Sequence, residues 1–323
     1  DIFKLLYYKF PIINGYRKYM NDLVTDVKSL ELETLKNLKS SKALNTLRAY
    51  KADYKDFAAF CIKHGLKSMP SEPKIISLYL THLSQTSKFS TLKRRLASIS
   101  VIHKLSGHYI DTKHPLITEN LMGIKRVKGS YQKAKKPILI NELKTIVNVI
   151  DKDKNEKRRT KNRALILIGF AGGFRRSELV AIEIEDIDFV TEGVKIFVKR
   201  SKTDQSGEGM TKGIPYFSYP NYCPVISLKN WIDKSEIKFG KIFNMSDKSV
   251  ALTIKKYAAI AGLDSNKYSG HSLRSGFATS TAELGAEERS IMAMTGHKTT
   301  QMVRRYIKEA NLFKNNALNK IKI

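Results

Sequence analysis

Residues 123–136 read GIKRVKGSYQKAKK, with two glycines, six lysines or arginines and no acid, and the hydrophobic pattern changes character across them. Like charges at that density repel one another and offer no apolar face to bury. The run is therefore expected to be a linker lying in solvent or along phosphates. Before it, apolar residues recur only at helical spacing. Leu47, Tyr50, Tyr54, Phe57, Ala58 and Cys61 share one face of a first helix, which Ser41 or Asn45 would cap and Gly65 would stop. Further helices are expected at 73–83, from Ser90 onward with Leu92, Leu96, Ile99 and Ile102 inward, and at 116–122. After the run, Pro137 pushes its predecessor out of helix and marks a new unit. There the pattern is mixed. Helices are expected at 140–150, 164–171, 224–234, 246–261, 272–284, 287–294 and 299–308. A strand alternates at 194–198, Ser206, Gly207 and Gly209 make a turn, and the chain is extended again at 213–216. The expected fold is mainly α with a small β-sheet. It comprises an extension at 1–39 (helical at 30–38), a helical bundle at 40–122, a basic linker at 123–136 and an α+β domain at 137–323.

Charge narrows the partners. There are 58 Lys+Arg against 30 Asp+Glu, a formal net charge of +28. A chain this basic draws polyanions from a distance, which points to nucleic acid; an anionic membrane surface or an unspecific basic exterior are the alternatives. No apolar run reaches the roughly 20 residues that span a bilayer. The opening residues are too short and too interrupted by lysine for a secretory signal. Only Cys61 and Cys223 are present, without metal-ligand spacing, so free thiols in a reducing compartment are expected. A prokaryotic cytoplasm fits, and the Lys-, Ile- and Asn-rich composition suggests an AT-rich genome or its mobile elements.

Five short segments hold polar residues that packing does not explain. They are Arg175 and Glu178 in GFRRSEL, Lys202 near the tip of the strand–turn–strand, His271 and Arg274 in HSLR, Gly296-His297, and Tyr306. Singly, each reads as a solvated charge, a structural histidine or a packed tyrosine. In order, R-x-x-E, a hairpin lysine, H-x-x-R, G-H and Y resemble the tyrosine recombinases, the phage integrase group. The match covers nearly all of 137–308, and HSLRSGFAT and TGHKTTQMVRRYI are close to that family's motif boxes. NTLRAY at 45–50 resembles, more faintly, the family's core-binding, SAM-like DNA domain.

Elementary chemistry accounts for these residue types. A phosphodiester is an anion that repels nucleophiles, so its displacement needs positive charge at the non-bridging oxygens. Arg175 and Arg274 suit that task because arginine stays charged and donates in a fork. His297 would be a third donor. Tyr306 is the candidate nucleophile; a phenol with a pKa of about 10 needs help to lose its proton, and His271 is the candidate base. Lys202 would protonate the departing 5′ oxygen, and Glu178 would orient a cationic neighbour.

The resemblance implies a covalent 3′-phosphotyrosine and strand exchange between two double-stranded DNA sites through a Holliday junction. It implies a homotetramer in which the segment after Asn311, with Ala317, Leu318 and Ile321 at helical spacing, docks on the neighbouring subunit. No cofactor, metal or ATP is implied. Candidate DNA contacts are Arg48, Lys93, Arg94 and Arg95 on the helical unit, Lys125, Arg126, Lys128, Lys133, Lys135 and Lys136 on the linker, and Arg176. Most would touch phosphate, as in a clamp around the duplex. The 39 residues before Ser40 are short for the arm-binding domain of larger phage integrases, so action on core sites alone is expected. A type IB-like topoisomerase shares the chemistry and is one alternative. A DNA-binding regulator that does not cut is the other.

Overall fold

The computed structural model describes residues 43–129, 134–199, 207–310 and 317–321, with Asp204 and scattered helical positions between 27 and 37. The chain divides into two units, Asp1–Gln132 and Lys133–Ile323. In the first, α1 (Leu44–Lys63), α2 (Pro73–Ser84), α3 (Phe89–Leu105) and α4 (Pro115–Lys128) follow one another. Pro73 and Pro115 each open a helix, where a missing N–H costs nothing. Helix α1 packs on α3 and α2 on α4. Their inward faces close on Phe57, Cys61, Ile76, Tyr79, Leu80, Leu92, Ile99 and Ile117.

Two details of this unit differ from the sequence-based expectation. Asn45 does not cap α1: it lies in the first turn and accepts a hydrogen bond from Arg48 at 3.4 Å. Ser41 lies outside the described residues. The linker is also shorter than 123–136. Helix α4 runs through Gly123 to Lys128, and Gly129, at φ +70°, follows it. Leu121 and Ile124 carry the apolar stripe of α4 onto the core. Lys125, Arg126 and Lys128 occupy its last turn, where the negative end of the helix dipole favours cations. The charges that suggested a linker thus stabilise a helix end.

The second unit begins with α5 (Ile140–Ile150), α6 (Glu156–Ala171) and the single turn α7 (Arg176–Leu179). A three-stranded antiparallel sheet follows, in the order β1 (Ile187–Val190), β2 (Gly193–Val198), β3 (Met210–Pro215). Then come α8 (Pro224–Ser235), α9 (Asp247–Ile260), α10 (His271–Glu283), α11 (Glu288–Thr295) and α12 (Thr300–Ala310). Helix α6 is central. Its residues from Ala164 to Ala171 are all buried, and it packs against α8 and α10. Its polar first turns were not foreseen; Asn155 caps them by accepting the Arg158 N–H at 2.8 Å. Strand β1 was also missed, because its two middle residues are exposed and nothing alternates.

In β2, Val194, Ile196 and Val198 face the core. The register pairs Val194 with Ile214 and Ile196 with Lys212, which puts a lysine on the inward face. Gly276 lets the backbone of Ile138 cross α10; a Cβ there would meet the Ile138 carbonyl oxygen at 2.0 Å. A satellite cluster of Ala278, Ala282, Ile291 and Val303 fastens α12 to α10 and α11. Past α12 the described chain makes one 3-10 turn, Ala317–Lys320, and Leu318 and Ile321 are exposed. Cys61 and Cys223 are buried free thiols. Among the described residues, no helix is long and apolar enough to cross a membrane.

Candidate active site

Helix α6 ends at Gly172 and Gly173, the latter at φ +55°, and the chain then delivers Arg175 as the residue capping α7. Glu178, 4% exposed, holds Arg175 twice. Its Oε2 accepts the Arg175 backbone N–H at 2.9 Å and its Oε1 accepts from Nη1 at 2.6 Å. A buried carboxylate used this way fixes the guanidinium rotamer. Arg175 Nη2 donates to the Gly296 carbonyl at 3.4 Å. Arg176, the next residue, lies over Gly270, where a Cβ would meet its Cδ at 1.9 Å, and stands 3.8 Å from Asp247.

Arg274, in the first turn of α10, is 1% exposed. Its Nη1 donates to the Gly173 carbonyl at 2.8 Å and its Nη2 faces His297 Nε2 at 3.0 Å. Burial, then Arg175 beside it, bring its pKa down to about 10. His297 follows Gly296, whose left-handed backbone (φ +62°) ends α11. A guanidinium only donates, so His297 Nε2 is the acceptor and the ring proton sits on Nδ1. Nδ1 meets Thr295 Oγ1 at 2.7 Å, and that hydroxyl donates to the Ile291 carbonyl at 2.6 Å. Burial first, then Arg274 and Arg175, push the His297 pKa down to about 4. His297 Nε2 accepts from Arg274 because burial and the surrounding cations keep the ring neutral.

His271 begins α10, and its Nε2 lies 3.3 Å from the Tyr306 hydroxyl on α12. Desolvation, then Arg274, Arg175, Arg176 and Arg305, hold the ring below the ordinary imidazole value, although the residue as a whole is exposed. A neutral imidazole beside a phenol can take its proton. The Tyr306 ring packs on the satellite cluster and stands 6.1 Å from the His297 ring. Arg175, His271, Arg274, His297 and Tyr306 thus converge, with Glu178 beneath Arg175. Lys202 lies outside the described residues. Asp204, two positions on, accepts the N–H groups of Gly207, Glu208 and Gly209 at 3.0, 3.2 and 2.8 Å.

Residues 138–312 match the model of the phage integrase family. The integrase/recombinase xerD homolog of Selenomonas ruminantium is 41% identical over 325 residues, spanning 96% of this chain and 95% of its own. The chain belongs to the phage integrase family of tyrosine recombinases. Tyrosine recombinase XerC of Leptospira interrogans is 24% identical, over 81% of this chain and 82% of its own. The solved structure of XerH bound to palindromic difH substrate in a post-cleavage complex has a TM-score of 0.67 at 19% identity, covering 98% of this chain and 95% of that one. A lambda integrase (75–356) dimer bound to a COC′ core site gives 0.56 at 18% identity, covering 90% and 98%. These structures share its two-unit, mainly α fold. The chain is a tyrosine-type, DNA-binding site-specific recombinase.

The recombinase's candidate DNA contacts divide by what they already touch. Arg48, Lys93, Lys125 and Arg126 are exposed. Arg94 is exposed as well, and both it and Arg95 pair with Asp53, which is 2% exposed. Arg95 Nη1 lies 3.3 Å from Asp53 Oδ1 and 3.4 Å from Asp56 Oδ2, and Ser98 Oγ donates to Asp53 Oδ2 at 2.7 Å. These bonds fasten α3 to α1. Lys128 donates to the Ser84 carbonyl and Lys135 to that of Asn266, while Lys136 forms an ion pair with Glu142 at 2.5 Å. Lys133 lies outside the described residues.

One residue of the recombinase site escaped the sequence reading. Lys212 on β3 is 1% exposed, and its Nζ donates to the carbonyls of Gly172 at 2.7 Å and Met294 at 2.5 Å. Nζ also lies 4.4 Å from the centre of the Phe174 ring. The signal was available: in a strand, Met210, Lys212 and Ile214 must share a face.

Proposed function

We propose that this recombinase cuts and rejoins DNA through Tyr306. The phenol oxygen attacks the phosphorus of a backbone phosphodiester, and its proton passes to His271 Nε2. The bond to the 5′ oxygen breaks, and that oxygen takes a proton from Lys202. The product is a 3′-phosphotyrosine and a free 5′ hydroxyl. Attack by the 5′ hydroxyl of a second duplex reverses the steps and exchanges strands, so two rounds pass through a Holliday junction. One ester replaces another at each step, so ATP is not required. Arg175, Arg274 and His297 carry the charge that builds on the phosphate, as metals do in other nucleases, and the cycle draws on no cofactor. A bound phosphate supplies the anion that raises the His297 pKa and turns its Nε2 into a donor.

The observation that carries this reading is the 3.3 Å approach of the Tyr306 hydroxyl to His271 Nε2 beside the arginines. Four copies on two duplexes are the assembly, with the segment after Asn311 docking on a neighbour; the exposure of Leu318 and Ile321 supports that role. A suicide substrate nicked near the cleavage site tests the chemistry. Wild type is expected to form a covalent protein–DNA adduct and Tyr306→Phe none. A wild type that forms no adduct on its own target site would sink the proposal. If a two-site plasmid is only relaxed and yields no recombinants, the topoisomerase reading replaces it.

A further inference from the structure

We infer that Lys212 is a positioning residue for DNA cleavage, tying β3 to the two turns that present Arg175 and His297. The inference rests on the strand-cleaving reading of this site. Two carbonyls converge on its Nζ, and the strand makes a further contact nearby. The Gly172 carbonyl that Lys212 holds lies three residues before Arg175, at the end of α6, and the Met294 carbonyl lies three residues before His297, in α11. A second contact from the same strand reaches the same place: a Cβ on Gly296 would meet Met210 Sδ at 3.2 Å, so β3 packs directly on the turn before His297. Gly296 in turn accepts from Arg175 Nη2 at 3.4 Å. One strand thus sets the spacing between the arginine and the histidine. Its hairpin with β2 also contains Lys202.

A lysine is a costly choice for that place. Taking an ammonium out of water is unfavourable, and an apolar side chain of equal volume packs more cheaply. Burial, with Arg274 and Arg175 adding to it and Glu178 opposing, pulls the Lys212 pKa down to about 7. The side chain has what an apolar one lacks: several donors on one atom, which join two carbonyls from different elements while the remaining surface lies against Phe174. With Nζ committed to these partners, Lys212 acts through Arg175 and His297, not on the scissile phosphate.

The test measures three quantities on full-length protein: DNA affinity, melting temperature, and single-turnover cleavage of the nicked suicide substrate. Lys212→Met removes the donors at similar volume. Lys212→Gln is one atom shorter and cannot bridge both carbonyls, so it serves if the methionine variant does not fold. Both are expected to bind DNA within about twofold of wild type and to cleave at least about tenfold more slowly, a difference of about 1.4 kcal/mol in barrier. Lys212→Arg, which keeps the donors, is expected to recover most of the rate. Cleavage at the wild-type rate by the folded methionine or glutamine variant overturns the role of Lys212. So does a loss that tracks only the fraction unfolded, which the arginine variant does not relieve. Absence of an adduct from wild type itself would instead overturn the strand-cleaving reading, and this inference with it.

Discussion

At the scale of single residues, burial and the neighbouring Arg274 together keep His297 neutral. The folded chain holds His297 near a pKa of about 4, while an unfolded chain restores about 6.5. The folded value is depressed, so the associated stability is fully present above about 6.5 and is lost as pH falls toward 4. The loss amounts to about 3 kcal/mol. Calorimetry of DNA-free protein should show the melting temperature falling more steeply from pH 7 to pH 4 in wild type than in His297→Asn. Equal slopes would show that His297 is not held neutral by the fold. The identities of Arg175, His271, Arg274, His297 and Tyr306 were legible because short motifs fix them in order. The polarity of their hydrogen bonds was not, because it depends on Thr295 and on the Gly173 carbonyl, which spacing alone does not bring near.

Among the elements, α3 carries cations that also hold its own unit together. Lys93, Arg94 and Arg95 read together as a DNA-facing stripe, and two of them also pair with Asp53 on α1. Their acid lies more than 40 residues away in sequence, beyond the reach of any single-helix pattern. Replacing Asp53 with Asn removes the charge that both arginines and Ser98 share, and leaves Arg95 partly buried without its main anion. Urea unfolding of the first unit should show a loss of about 3 kcal/mol, with no change in cleavage by the protein that remains folded. No measurable loss would mean that solvent replaces the pair. Elsewhere the elements were readable where burial enforced a period: α5 was expected at 140–150 and runs Ile140–Ile150. They were unreadable where it did not. Strand β1 has no inward–outward alternation, and the end of α4 looked like a tether because its cations favour a helix terminus as well as they favour solvent.

Across the whole molecule, the change from helix-only to mixed pattern made the two units legible, while the target sequence stayed hidden because base reading depends on which side chains enter a groove. The charge of +28 makes binding a salt-dependent event. Each phosphate contact adds about 0.9 to the slope of log affinity against log salt, so Lys125→Ala with Arg126→Ala should flatten that slope by about 2. An unchanged slope would remove both from the interface. One consequence of the active-site geometry reaches beyond catalysis. Arg175, Arg274, Lys212, His271 and His297 crowd one small volume; Arg175 and Arg274 make protons harder to hold on Lys212, His271 and His297, and Glu178 opposes this at Arg274 and Lys212. A phosphate seated among these groups would supply the opposite charge that offsets their repulsion. Cognate DNA is therefore expected to act as a folding ligand, raising the melting temperature of the second unit as its concentration rises; an unchanged melting temperature would show that the repulsion is already screened.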